Sequence, residues 1–245
     1  KGMDCLGVST CGYVDPREKK IAFATEAVPG YTGVQLGRIL EERTGLPVAV
    51  ENDAKCAAIG ELHYGMGKEH KDFIYLTYGT GIGGAIVIDG AIYHGCHGIA
   101  GGLGHMITHS EGLECTCGNR GCYEMYASTR ALLSKVKEAI GITLDGRQVF
   151  ARAEDKRIQR EIDLWIDEVV KGLISLMNIL DPSIFILGGG IMEQKTVIQE
   201  IGKRLIGNTI GGFTDISVCS ASLGNAAGLY GAYTNALSLL DGDEK

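Results

Sequence analysis

Between Cys115 and Cys122 the chain reads Cys-Thr-Cys-Gly-Asn-Arg-Gly-Cys, and His105 stands a short way upstream. Three thiols and an imidazole in so short a span, relieved by Gly118 and Gly121, constrain the fold more than any other segment, because the backbone must close around whatever the four side chains share. Zinc suits the set. Thiolate and imidazole are borderline-soft ligands, and four of them complete a closed tetrahedral structural site with no open position for Lewis-acid chemistry. The alternative reading of the same residues is a group of buried free thiols in a reducing compartment. Eight cysteines in 245 residues, three of them crowded here, do not read as a secreted disulfide framework, so a reducing, cytoplasmic setting is expected.

The rest of the chain is 45% hydrophobic, enough to bury a core in one large or two small domains. Thirty acidic against 23 basic residues give a formal charge of -7 with no basic run, which disfavours a nucleic-acid partner. No apolar run approaches a membrane span, and residues 1–10 lack the core of a signal peptide.

Apolar and β-branched runs alternate with helical spacing. Cys5–Thr10 reads as a strand and Val34–Arg43 as a helix stopped by Gly45. Leu46–Val50 reads as a strand whose end carries the polar triplet Glu51-Asn52-Asp53, ahead of a helix over Ala54–Tyr64. Asp72–Tyr78 and Ala85–Ile88 are expected as antiparallel neighbours joined by Gly79-Thr80-Gly81-Ile82-Gly83-Gly84. Helices are expected over Ser128–Ala139 and Lys156–Leu180. In the second of these Ile158, Ile162, Trp165, Val169, Leu173 and Leu176 mark a core-facing stripe. Ile184–Leu187 then forms a strand running into Gly188-Gly189-Gly190, followed by a helix, a strand at Ile216–Cys219 and a last helix over Asn225–Leu239. The class is α/β.

Three of these turns can carry chemistry. In α/β folds ligands collect at the carboxyl ends of strands, where the Glu51-Asn52-Asp53 triplet lies, although Asn or Asp at that point is also an ordinary helix N-cap. The small residues of Gly79–Gly84 let backbone N–H groups approach a phosphate, and a tight hairpin needs glycine as well. Gly188–Gly190 either opens a helix N-terminus to a nucleotide or lets strand and helix pack.

In order along the chain, Gly7-Val8-Ser9-Thr10 with Gly12 and Val14-Asp15, Glu51-Asn52-Asp53-Ala54, Gly79–Gly84, Gly104-His105, the cysteine cluster with Glu124, and Gly224-Asn225-Ala226-Ala227-Gly228 resemble the bacterial ROK family of glucokinases, N-acetylmannosamine kinases and sugar-responsive repressors. The resemblance implies an actin-like, ribonuclease H-like two-lobed sugar kinase fold, with residues 1–52 and about 228–245 in a small, incomplete N-terminal lobe and 53–227 in a large one. It implies Asp53 as general base toward a sugar 6-hydroxyl, with Gly12, Thr25, Asn52, Gly81, His105 and Glu124 lining the sugar. It implies ATP with Mg2+ facing Gly79, Thr80, Gly81 and Gly188–Gly190, zinc on His105, Cys115, Cys117 and Cys122, and a homodimer.

Two departures from the family pattern stand out. The family's opening Asp-x-Gly-Gly-Thr phosphate hairpin has no counterpart before Gly12, so an incomplete ATP site and weak ATP binding are expected of residues 1–245. The pattern Gly-x-x-Gly-Glu-x-Gly-His appears as Gly98-Ile-Ala-Gly101-Gly102-Leu-Gly-His105, without the carboxylate. Among sugars, Val14-Asp15-Pro16-Arg17-Glu18 and Thr25 point toward N-acetylmannosamine, with glucose as the alternative. The rival function is the sugar-sensing domain of a repressor, which the intact Asn52-Asp53 pair disfavours.

Overall fold

A computed structural model of the chain describes residues 2–25, 28–208, 210 and 216–240. Two units emerge, one of Lys1–Lys71, Ala85–Gly101 and Ser222–Lys245, the other of Asp72–Gly84 and Gly102–Ala221.

In the first unit, strands β1 (Leu6–Thr10) and β4 (Val48–Asn52) pair in parallel, with Leu6 opposite Val48 and Thr10 opposite Asn52. Strands β2 (Tyr13–Asp15) and β3 (Lys20–Phe23) form an antiparallel hairpin. Helix α1 (Leu36–Thr44) ends where Gly45 turns to φ 70°, a left-handed conformation that its missing Cβ permits. The β-branched positions of these strands converge, and Val14, Ile21, Val48 and Val50 form a buried cluster against which Leu6, Val8, Leu36 and Leu40 pack. Helices α2 (Asp53–Tyr64) and α8 (Ala227–Ser238) lie in close contact. A Cβ on Gly60 would collide with the Ala227 carbonyl, and one on Gly231 with the Cys56 carbonyl, so the backbones meet only because both positions are glycine.

The second unit is built on parallel strands β5 (Phe73–Tyr78), β8 (Ile184–Gly188) and β9 (Ser217–Ser220), with Phe73 opposite Ile184 and Ile184 opposite Ser217. Strand β6 (Ile82–Ile88) begins in this unit and enters the first at Ala85, where its end pairs antiparallel with β7 (Ala91–Ile92). Around the sheet stand helices α3 (Glu124–Ala127), α4 (Thr129–Ile140), α5 (Gly146–Ala151), α6 (Lys156–Leu180) and α7 (Lys195–Gly207). Side-chain caps open three of them: Ser128 accepts from Ala131 N–H, Asp145 from Gln148 N–H and Asp155 from Arg157 N–H. Along α6 the expected stripe is buried, and the Trp165 indole N–H donates to Ala127 O at 2.8 Å.

Two expectations change. Ile82, Gly83 and Gly84 belong to strand β6 and not to the loop, and Gly84 is needed there for close approach, since a Cβ on it would press into Leu103; the turn itself is Gly79–Gly81, closed by Gly79 N–H on Gly81 O at 3.0 Å. The division at residue 53 also differs, since 53–71 and 85–101 group with the first unit, the former through the glycine-mediated packing of α2 on α8. Residues 241–245 of the expected C-terminal contribution lie outside the described residues.

One buried charge organises the first unit. Glu61 is 0% exposed, and its carboxylate accepts from the N–H groups of Met66, Ser222 and Leu223 and from the Ser222 hydroxyl, at 2.8 to 3.0 Å. It anchors the turn that leads into α8. Glu61→Gln replaces an acceptor oxygen with a donor amide facing the Met66 N–H and is expected to cost about 1 to 3 kcal/mol, read as a lowered urea midpoint.

Candidate functional site

In the first unit the site is the corner where β4 turns into α2. Asn52 is the N-cap: its side-chain oxygen accepts from Ala54 N–H at 3.0 Å and Lys55 N–H at 3.1 Å. Its amide nitrogen donates to Gly12 O and to Asp53 Oδ1, both at 2.9 Å, which ties the corner to the start of the β2–β3 hairpin. Gly12 reaches that place at φ 90°. Asp53 is the first residue of the helix and is solvent-accessible, yet its carboxyl is flanked by protein; partial desolvation raises its pKa above the ordinary aspartate range, against the lowering effect of Ala54 N–H and the Asn52 amide. Asn52 thus caps Ala54 and Lys55, and the Asp53 carboxyl beside it shares the Ala54 N–H. Thr25 lies just beyond β3, and its carbonyl accepts from Val28 N–H.

Beneath the corner is a cluster that sequence reasoning missed. Glu51, 3% exposed, accepts from Asn52 N–H at 2.7 Å through Oε1, and its Oε2 lies 2.6 Å from His94 Nε2. Lys55, 4% exposed, donates to Gly98 O at 2.7 Å; burial pushes its pKa down and the Glu51 charge opposes that. The available signal was Lys55, set among the small residues Ala54, Cys56, Ala57 and Ala58, where a solvated helix face would be more polar, next to a triplet in which Glu51 was read only as part of a strand end.

In the second unit the sulfurs and an imidazole nitrogen of His105, Cys115, Cys117 and Cys122 all lie within 4.8 Å of one another. Cys115 Sγ is 3.6 Å from His105 Nδ1 and Cys117 Sγ is 3.5 Å from Cys122 Sγ. A tetrahedron of zinc–sulfur bonds has edges of about 3.8 Å, so the donor set fits the ion. Burial, with the neighbouring sulfurs after it, pushes the Cys122 thiol up to about 12, and a metal must displace that proton to bind. Glu124, 8% exposed, joins this cluster to the glycine turn: Oε1 lies 3.3 Å from Cys115 Sγ, while Oε2 accepts from Ile82 N–H at 3.2 Å and occupies the space a Cβ on Gly81 would need. Gly81, His105 and Glu124, all expected at one site, are therefore brought together.

The residues expected to face a nucleotide sit at the carboxyl ends of the adjacent parallel strands β5 and β8, where α/β sheets bind ligands. Gly79 and Thr80 are exposed just past β5. Gly188 closes β8, Gly189 adopts φ 98° with no room for a Cβ against Tyr78 O, and Gly190 is exposed at the start of a 3-10 turn. Packing thus accounts for Gly189, and Gly190 presents backbone to solvent.

The sequence profile of the ROK family matches residues 2–238. The chain belongs to the ROK family. Among relatives, a beta-glucoside kinase from Listeria innocua is 33% identical over 93% of this chain and 77% of that protein. A ROK glucokinase from Streptomyces griseus, solved with glucose and AMPPNP, superposes with a TM-score of 0.86 at 33% identity, covering 97% of this chain and 82% of that one. A candidate N-acetylmannosamine kinase from Listeria monocytogenes gives a TM-score of 0.86 at 32% identity, covering 97% and 81%. These structures cover both units, and the actin-like sugar kinase fold is that of this chain. Among the described residues no helix is long and apolar enough to cross a membrane.

Proposed function

We propose that this ROK-family chain is an ATP-dependent sugar kinase that phosphorylates the 6-hydroxyl of a hexose or N-acetylhexosamine, with Asp53 as the general base. The observation that carries the reading is the arrangement of the β4–α2 corner. Asn52 accepts from the Ala54 and Lys55 N–H groups, and the Asp53 carboxyl, which shares Ala54 N–H through Oδ1, is held in place by the Asn52 amide. Phosphoryl transfer asks the protein mainly to position a hydroxyl and stabilise phosphate charge, and a carboxylate of raised pKa at a strand's carboxyl end suits the first task. Backbone N–H groups and the hydroxyl of Gly79–Gly81, with Gly190, suit the second, together with Mg2+ carried on the ATP phosphates. A coupled ADP-release assay against a panel of hexoses and N-acetylhexosamines tests the reading, and a panel without turnover overturns it.

Zinc is assigned to His105, Cys115, Cys117 and Cys122 as a structural ion. With four protein donors it has no free position, so its contribution is to hold the 105–122 segment, and Glu124 with it, in place.

For the sugar, the Val14–Glu18 segment and Thr25 support N-acetylmannosamine, and glucose is the rival. Position 102 separates a weakened site from an adapted one. Gly102 stands where the family pattern has Glu, at the start of the 3-10 turn Leu103–His105. A charge-assisted hydrogen bond to a buried hydroxyl is worth about 1.5 to 3 kcal/mol, or roughly ten- to a hundredfold in affinity. If the site is merely weakened, Gly102→Glu gains affinity for the simple hexose; if it is adapted to a substituent at C1 or C2, the variant loses its natural substrate. KM values across the panel read the difference.

A further inference from the structure

We propose that Glu51 and Lys55 are positioning residues for Asp53, acting by tethering the 94–98 segment to the corner that carries the base. The proposal rests on the kinase reading of Asp53. Both side chains are almost completely buried, and a buried ionised group is stable only with partners, so what each holds is informative. Glu51 spends one oxygen on Asn52 N–H and turns the other to His94 Nε2 at 2.6 Å. Lys55, in the first turn of α2 where the helix dipole disfavours a cation, donates to Gly98 O at 2.7 Å. The two partners are the ends of one segment, which Ala100 N–H closes on His94 O at 3.0 Å.

That segment meets the corner a second time by way of the β2–β3 hairpin. A Cβ on Gly98, whose φ is 77°, would lie 3.3 Å from Pro16 Cδ and 3.5 Å from Asp15 Cα. The same hairpin begins at Gly12, whose carbonyl receives the Asn52 amide. The contacts close a ring: Glu51 to His94, through the segment to Gly98, across the hairpin to Gly12, and back through Asn52 to Asp53 Oδ1. Lys55 is a chord across it. Among the described residues Glu51 bonds to Asn52 and His94 and Lys55 to Gly98, so each acts on Asp53 through Asn52 and the segment. A misplacement of about 1 Å in a reacting group can reduce turnover by about a hundredfold, which is the scale on which such a ring matters.

The test uses the full chain and four variants: Glu51→Gln, Lys55→Met, the double variant, and His94→Gln, whose ring is only partly buried and which spares the fold if the first two do not. ADP release gives kcat and KM, and hydrogen exchange reads the 94–100 amides. Expected for Glu51→Gln and Lys55→Met is a kcat lowered by about ten- to a hundredfold with sugar KM within about threefold, and faster exchange at 94–100. The double variant is expected to be little worse than the poorer single one, because both break the same ring. His94→Gln should show the same pattern at a smaller size. Exchange accelerated with kcat unchanged, or kcat losses that multiply in the double variant, overturns the proposal. Asp53→Asn run alongside separates the two readings: its loss of turnover with Glu51→Gln fully active refutes only the tether, whereas a wild-type chain that releases no ADP with any sugar refutes both.

Discussion

Asp53→Asn is expected to lower kcat by at least about a hundredfold while the sugar still binds. The substitution keeps the size of the side chain and one oxygen able to accept from Ala54 N–H, and it leaves the Asn52 cap untouched, so helix α2 retains its start. What disappears is the proton acceptor. Because partial desolvation holds the Asp53 pKa above the ordinary aspartate range, the wild-type rate should fall on acidification at a pH higher than an ordinary aspartate would give; the base works only when deprotonated, so activity is present above that pKa and lost below it. Turnover assays across pH, with sugar affinity measured separately by calorimetry, check both statements. Near-normal turnover in the variant would return the residue to an accessory role at the helix start.

Removal of the metal ligands should have the largest effect on stability. Cys122→Ser is expected to abolish stoichiometric zinc in elemental analysis, where the wild type should carry one ion per chain. Cys122 is fully buried, and Cys117 and the isolated bridge Ile107 to Cys122 depend on its position. Structural zinc contributes about 10 kcal/mol or more of apparent binding energy at neutral pH. If only about 4 kcal/mol of that is expressed as folding energy, the thermal midpoint falls by roughly 8 to 16 °C for a domain of this size. Protons compete for the thiolates, so zinc retention should weaken as pH falls. Wild-type protein free of zinc, with a midpoint unmoved by Cys122→Ser, would leave the cluster as reduced thiols.

The two predictions draw on different depths of the sequence. Helix α6 was legible because its apolar residues repeat at helical spacing over about five turns, from Ile158 to Leu176, and its stop, like that of α1 at Gly45, is a local conformational event. The cysteine cluster was legible for a similar reason: His105 and the three thiols lie close in sequence, and ligand chemistry depends on atom type. The place of the Asn52-Asp53 pair at a strand end followed from local pattern too. How the two side chains share the first helical N–H groups did not, since that is settled by rotamers that Gly12, 40 residues away, helps to hold.

Tertiary structure decided the rest. Lys55 and Glu61 read as ordinary helix formers, and only folding buries them against Gly98 O, 43 residues away, and the Ser222–Leu223 turn, more than 160 residues away. The grouping of α2 with α8 arises in the same way, from glycines at positions 60 and 231 that spacing alone marks as mere helix weakeners. Gly84 reads as a loop residue in the sequence, and only the fold carries strand β6 through it and sets Leu103 in the space beside it. Periodicity and ligand chemistry are short-range properties, and the chain by itself determined what depends on them; which buried charge meets which carbonyl, and which glycine is needed for close approach, depends on contacts between distant segments that exist only after the chain has folded.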